Sequence, residues 1–118
     1  MKDKRTKVIE KILNELGINI ANKGYRYWIT AINYYIENDM NCNMKEVYTE
    51  VATRHKTTKI RAERALRYEC TNNRKRIEEY FEAKYTVTNK VFLRWMSEIV
   101  VNCETGEFVE NDSKELKQ

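Results

Sequence analysis

Apolar residues recur along this chain at the spacing of one helix face after another. Val8, Ile9, Ile12, Leu13 and Leu16 form a stripe of helical period, which predicts a first helix over residues 4–16 with Gly17 as a left-handed cap. A second stripe of Tyr25, Trp28, Ile29, Ile32, Tyr35 and Ile36 predicts a helix over 23–38. Its aromatic spacing is what packing demands, so it reads as core rather than as a ligand site. The polar cluster at 38–43 reads as a turn. Asn43 then stands as an N-cap with Glu46 three residues on, in a capping-box arrangement. A third helix follows over 44–54, turning Val47, Tyr48, Val51 and Ala52 inward. Thr57 or Thr58 caps a fourth, over 59–70. Asn72 and Asn73 suggest a break before a fifth helix over 74–82. Thr88 caps a sixth that reaches Val101 with Val91, Phe92, Trp95, Met96, Ile99 and Val100 along one side.

The expected fold is therefore all-α: about six helices with a central helix-turn-helix. Proline is absent from the 118 residues and glycine occurs three times, so nothing interrupts long helical patterns. An apolar fraction of 42% is enough for one core, and the length is too short for two domains. Residues 1–101 read as a single helical domain and 102–118 as an acidic polar tail, loosely ordered.

Charge sharpens this picture. The tail carries a net −3, and residues 1–101 carry +7. Between Thr53 and Arg67, six cations (Arg54, Lys56, Lys59, Arg61, Arg64, Arg67) face one acid, Glu63. Such clustering is what a phosphate backbone rewards through counterion release; a merely solvated helix face is the competing reading. On a helical wheel, Ala62, Ala65, Leu66 and Glu69 gather on one side of the fourth helix. Ile60, Arg61, Glu63, Arg64, Arg67 and Tyr68 spread over the other. Small alanines let this helix approach the third closely, and Ala52, Ala62 and Ala65 fill the small and apolar positions of a helix-turn-helix. The turn has Lys56 where glycine is common.

Each outward residue then has a chemistry. Arg61 and Arg64 offer planar forks suited to guanine O6 and N7, Glu63 can accept from cytosine N4, and Ile60 can meet a thymine methyl. Lys56, Thr57, Thr58, Lys59 and Arg67 suit phosphate oxygens, with Tyr68 beside them. For Glu63 a plain ion pair with Arg67 at i,i+4 spacing competes with base selection. The Arg-Lys-Arg start of the fifth helix opposes its dipole and suggests a task outside that helix, such as phosphate contact.

Other classes find less support. One histidine, His55, and three widely spaced cysteines (Cys42, Cys70, Cys103) make no metal pattern, so no metal and no cofactor is expected and the thiols read as reduced and structural. No glycine-rich phosphate loop or catalytic constellation points to an enzyme or to a small-molecule substrate. The longest apolar run, 99–101, is far below membrane-spanning length, and the basic start leads into a helix rather than a signal segment. The expected location is the cytoplasm.

Three blocks resemble a known family: GYRYWITAI (24–32), KEVYTEVATRHKTTKIRAERALRY (45–68), and YTVTN with a following phenylalanine (85–89, Phe92). They are similar to the C-terminal effector domain of the stage-zero sporulation response regulator of endospore-forming bacteria, over residues 8–101. The resemblance implies a six-helix fold of response-regulator effector type, without an evident wing, whose fourth helix enters the major groove at a short promoter box. It implies DNA contact at Arg61, Glu63, Arg64 and Arg67, and head-to-tail pairing through the sixth helix, where Phe92, Trp95, Met96 and Ile99 are the candidate interface. Tyr68 stands where the family usually has histidine and Ile60 where it has a small polar residue, so the box is expected to differ. The family's receiver domain has no counterpart in this sequence. With Met1 as a native start, the chain would act without the phosphorelay, constitutively, through its concentration or by competing for sites; in an excised fragment the absence carries no meaning. The expected function is sequence-specific binding of double-stranded DNA by a transcriptional regulator. The alternative is a protein-interaction module that forms mixed dimers with a related regulator.

Overall fold

The computed structural model describes residues 3–105, which form six helices and no strand: α1 (Lys4–Glu15), α2 (Lys23–Glu37), α3 (Met44–Arg54), α4 (Lys59–Asn72), α5 (Arg74–Phe81) and α6 (Asn89–Thr105). The second of these is the hub, since α2 packs against α1, α3, α4 and α6. Its aromatic stripe makes this possible. Trp28, Ala31 and Ile32 are fully buried, and Tyr25 nearly so. Trp28 meets Phe92 of α6 edge-on at 4.7 Å, a favoured arrangement of aromatic quadrupoles. The core thus gathers Ile9, Leu13 and Leu16 from α1, Val47 and Val51 from α3, Leu66 from α4, and Leu93 and Val100 from α6.

Local chemistry sets the helix ends. Asn43 accepts the Glu46 N–H at 2.9 Å while the Glu46 carboxylate accepts the Asn43 N–H at 2.8 Å, completing the expected capping box. Of the two candidate caps, Thr58 is the one that accepts from the Arg61 N–H, at 3.1 Å. Thr88 accepts from the Val91 N–H at 3.3 Å. Gly17 has φ +83°, and the Ile18 N–H reaches back to the Leu13 carbonyl at 3.1 Å, so the first helix ends in a Schellman motif.

The expected end of the last helix is corrected. The last helix does not stop at Val101 but continues to Thr105, where Glu104 pairs with Arg5 of α1 at 2.6 Å. The rest of the expected tail, 106–118, lies outside the described residues. The Arg-Lys-Arg start of α5 also has a local explanation. Arg74 lies 4.0 Å from Glu78, and Arg76 reaches over Gly17, where an added Cβ would stand 2.6 Å from its Nη1. A guanidinium at the C-terminal end of α1 suits that helix's dipole.

The contact between α2 and α4 is unusually close at one point. A Cβ at Gly24 would lie 2.7 Å from Glu69 Oε2 and 2.8 Å from the Ala65 carbonyl oxygen. Glu69 itself is 1% exposed. Burial raises its pKa above the ordinary 4.5, opposed by hydrogen bonds from Asn22 and Asn73.

Two outcomes follow for stability. Gly24→Ala should lower it by about 1–3 kcal/mol, because the neighbour on one side is backbone that cannot swing away; an unchanged urea midpoint would refute the close approach. For Glu69, a raised folded-state pKa means the native state favours the protonated carboxyl. Stability from this group is full below about pH 4.5 and declines as pH rises through the folded value. Glu69→Gln should therefore gain on the wild type from about pH 4.5 upward in thermal melts, and a pH-independent difference would contradict this.

Candidate nucleic-acid interface

The turn between α3 and α4 forms because α3 ends in a left-handed residue. Lys56 has φ +55°, and the Thr57 N–H returns to the Ala52 carbonyl at 2.9 Å. This is the position where glycine is common. Lysine holds it at a steric disadvantage of about 1–2 kcal/mol, and its ammonium stem leaves the turn toward solvent.

From the turn, α4 leaves with its two sides sharply divided. Ala62 and Leu66 are fully buried, Ala65 partly, and Glu69 and Cys70 complete the inner side. The Cys70 thiol is pushed up to about 12, first by burial and then by Glu69, which leaves it inert. On α2, Trp28 donates from Nε1 to the Leu66 carbonyl at 3.1 Å inside the core. An indole N–H sealed away without an acceptor would cost about 1–3 kcal/mol, so this bond fixes α4's height along α2. On the far side, Asn89 of α6 donates from Nδ2 to the Glu63 carbonyl at 3.4 Å and to the Tyr48 hydroxyl at 3.2 Å, joining α3, α4 and α6.

The outer side carries the residues expected to face DNA. Ile60 is 64% exposed and Tyr68 55%, while Lys56, Lys59, Arg61, Arg64 and Arg67 are all exposed. Among the described residues no acid pairs with Lys56, Lys59, Arg61 or Arg64, so their charge is uncompensated at short range. Glu63 is half-buried and pairs with Arg67 one turn on. Both readings of Glu63 thus concern one geometry: the acid is engaged in the free chain and would have to exchange Arg67 for a base. Thr58 spends its oxygen on the cap yet keeps its O–H proton, and Thr57 is half-buried.

The candidate pairing surface on α6 needs correction. Phe92 and Met96 are fully buried against α2 and the rest of the core, so neither can meet a partner. The side of α6 that the resemblance offers for pairing is largely the side that packs. Trp95 and Ile99 are half-buried and remain accessible at the edge, with Trp95 between Phe81 (5.2 Å) and Tyr85 (6.0 Å).

Two residues near the turn were not singled out from the sequence as contacts. His55 caps the C-terminus of α3, its Nε2 2.7 Å from Thr30 Oγ1 and its ring 4.7 Å from Tyr27. Burial, then Arg26, then Arg54 hold its pKa below the usual 6.5. Arg26 is exposed on α2 and reaches the same region. A lone histidine and an arginine 29 residues away carry no shared pattern, so only the folded geometry joins them.

Compared with known protein families, residues 9–100 match the family described as Sporulation initiation factor Spo0A C terminal. No solved structure matches the chain. No helix among the described residues is long and apolar enough to cross a membrane.

Lys56→Gly separates the turn's geometry from its charge. Relief of the left-handed strain, less the greater freedom of glycine when unfolded, should raise stability by about 0.5–1 kcal/mol. A lower melting temperature in the variant would show that the lysine stem contributes packing that outweighs its backbone strain.

Proposed function

Since the chain belongs to the Sporulation initiation factor Spo0A C-terminal family, the DNA-binding effector domain of a sporulation regulator, we propose that it binds double-stranded DNA by sequence, with α4 laid in the major groove. The observation that carries this reading is the division of α4: one side locked by Leu66, Ala62 and the Trp28 bond, the other presenting free guanidinium groups. A helix that cannot roll holds its forks at fixed angles, which bidentate recognition of guanine requires.

In this reading Arg61 and Arg64 address guanines, Ile60 a thymine methyl, and Glu63 a cytosine N4 once Arg67 turns to a phosphate. Lys56, Thr57, Thr58, Lys59 and Tyr68 hold the backbone and set register. Two copies lie head-to-tail on adjacent boxes, with Trp95 and Ile99 at the accessible edge of α6. The protein regulates transcription in the cytoplasm, and the helical body that runs through Thr105 carries the activity as one domain.

Selection from random oligonucleotides should enrich a short motif with a cytosine-guanine core. Against that motif, Arg64→Ala should lose about 1–3 kcal/mol of discrimination at one base pair. Lys59→Ala should weaken all duplexes alike and reduce the salt slope by about 1. Equal losses on selected and random duplexes for both variants would reject these roles, and failure to enrich any motif would reject sequence-specific binding.

A further inference from the structure

An open cavity of about 400 Å³ lies beside the helix-turn-helix turn, between α1, α2 and His55, and no role assigned above uses it. Arg26 and Thr30 line it from the same side of α2, four residues apart, and Glu10 lines it from α1. His55 is the chain's one histidine, and Arg54 precedes it directly. We propose that Arg26, Thr30 and His55, which line this cavity together, form a second site for a DNA backbone phosphate on the α2 side of the turn, and that His55 takes up a proton there when the duplex binds. This rests on the DNA-binding reading.

The first argument is position. Lys56, the next residue, and the N-terminus of α4 after it are the parts placed against the duplex, so the backbone flanking the groove passes this corner of the molecule. Arg26 extends the cationic surface from the turn onto α2, a different element from the reader helix.

The second is charge. Arg26 from α2 and Arg54 from α3 both bear on the imidazole, and with burial they keep it neutral in the free chain. Arg54 is also paired with Glu50 at 2.9 Å. Lys56 adds a further positive charge at the turn, and Glu10 is the acid that lines the cavity from α1. The net effect on His55 is downward all the same. A phosphodiester seated in the cavity beside Arg26 offsets this positive field and places an anion near the ring. That reverses the electrostatic part of the balance.

The third is that the ring's surroundings accept both protonation states. Thr30 Oγ1, at 2.7 Å, can donate to a bare Nε2 or accept from Nε2–H by rotating its proton. The Tyr27 face at 4.7 Å favours a cation. The proton comes from the buffer, and no other bond forms or breaks.

Because the histidine is single, its ring C–H signals in NMR need no assignment. Titration of the wild-type chain, free and bound to a duplex enriched by selection, should show the midpoint rising by about one unit on binding. Affinity should rise about three- to tenfold between about pH 7.5 and about pH 5.5. His55→Gln should flatten that response to less than about twofold, and Arg26→Ala should lower the salt slope by about 1. A duplex that binds while the midpoint stays in place overturns the proposal, as does a full pH response in His55→Gln. If that variant fails to fold, the wild-type titration decides alone. Absence of duplex binding at every pH sinks the DNA reading and this inference with it, an outcome distinct from binding with an unmoved histidine.

Discussion

Everything this molecule presents to the outside depends on how α4 is seated on α2. The fourth helix has little apolar material of its own: two alanines, Leu66 and Cys70 make up nearly all of its inner side. A helix so poor in large side chains is not held in place by the hydrophobic effect alone, since burial gains scale with apolar area. It is held by close approach. Gly24 removes the one Cβ that would push the two backbones apart, and the Trp28 indole then reaches the Leu66 carbonyl at 3.1 Å. The hydrogen bond adds direction to a contact that packing would leave free to slide. Without that seam α4 could rotate or shift by a fraction of a turn, and its guanidinium groups would point elsewhere.

The same seam explains a buried acid that no sequence pattern would recommend. Glu69 closes the inner side of α4 where Gly24 leaves room, and Asn73 donates to it from the next turn at 3.4 Å. A buried carboxyl needs partners to offset its desolvation, and here they come from both ends of the contact, Asn22 before α2 and Asn73 after α4. This polar closure lies at the end of α4 farthest from the turn, while Asn89 grips the Glu63 carbonyl nearer the reading end. The fourth helix is thus pinned at three heights, by Trp28 of α2, by Asn89 of α6, and by the capping asparagines Asn22 and Asn73.

How far these features are legible in the sequence depends on whether they are local. The six helices, the Asn43–Glu46 box and the Gly17 cap follow from residues a few positions apart, and the structure has them, with α4 reaching Asn72 and α6 Thr105, beyond the expected 70 and 101. The two faces of α4 follow from period alone. What the sequence does not display is the identity of partners across helices. The stripe Phe92–Met96 on α6 has the look of either a core face or a docking face, and only packing against Trp28 distinguishes them. Likewise the cationic start of α5 has no visible reason until Arg76 is found over the end of α1. His55 and Arg26 become neighbours only when α2 and α3 are assembled. Resemblance to the family carried the reader helix and the general fold, but it could not separate Trp95 from Met96 on one helix.

On α4, stability and recognition are almost separate properties, because inner and outer residues share few contacts. Ile60, Arg61 and Arg64 touch little of the core, so exchange at these positions would alter what is read while leaving the fold intact. That freedom accommodates a large apolar side chain at Ile60, which is 64% exposed. Glu63 is the point where the separation fails. Its carbonyl accepts from Asn89, its carboxylate holds Arg67, and it is half-buried among them. Any base that draws the acid outward must first release Arg67, which is then free for a phosphate. The proposed base contact and the proposed phosphate contact would thereby be coupled through one ion pair. A helical i,i+4 pair with one exposed partner is worth only about 0.3–0.5 kcal/mol, so it is weak enough to be exchanged and ordered enough to aim the acid beforehand.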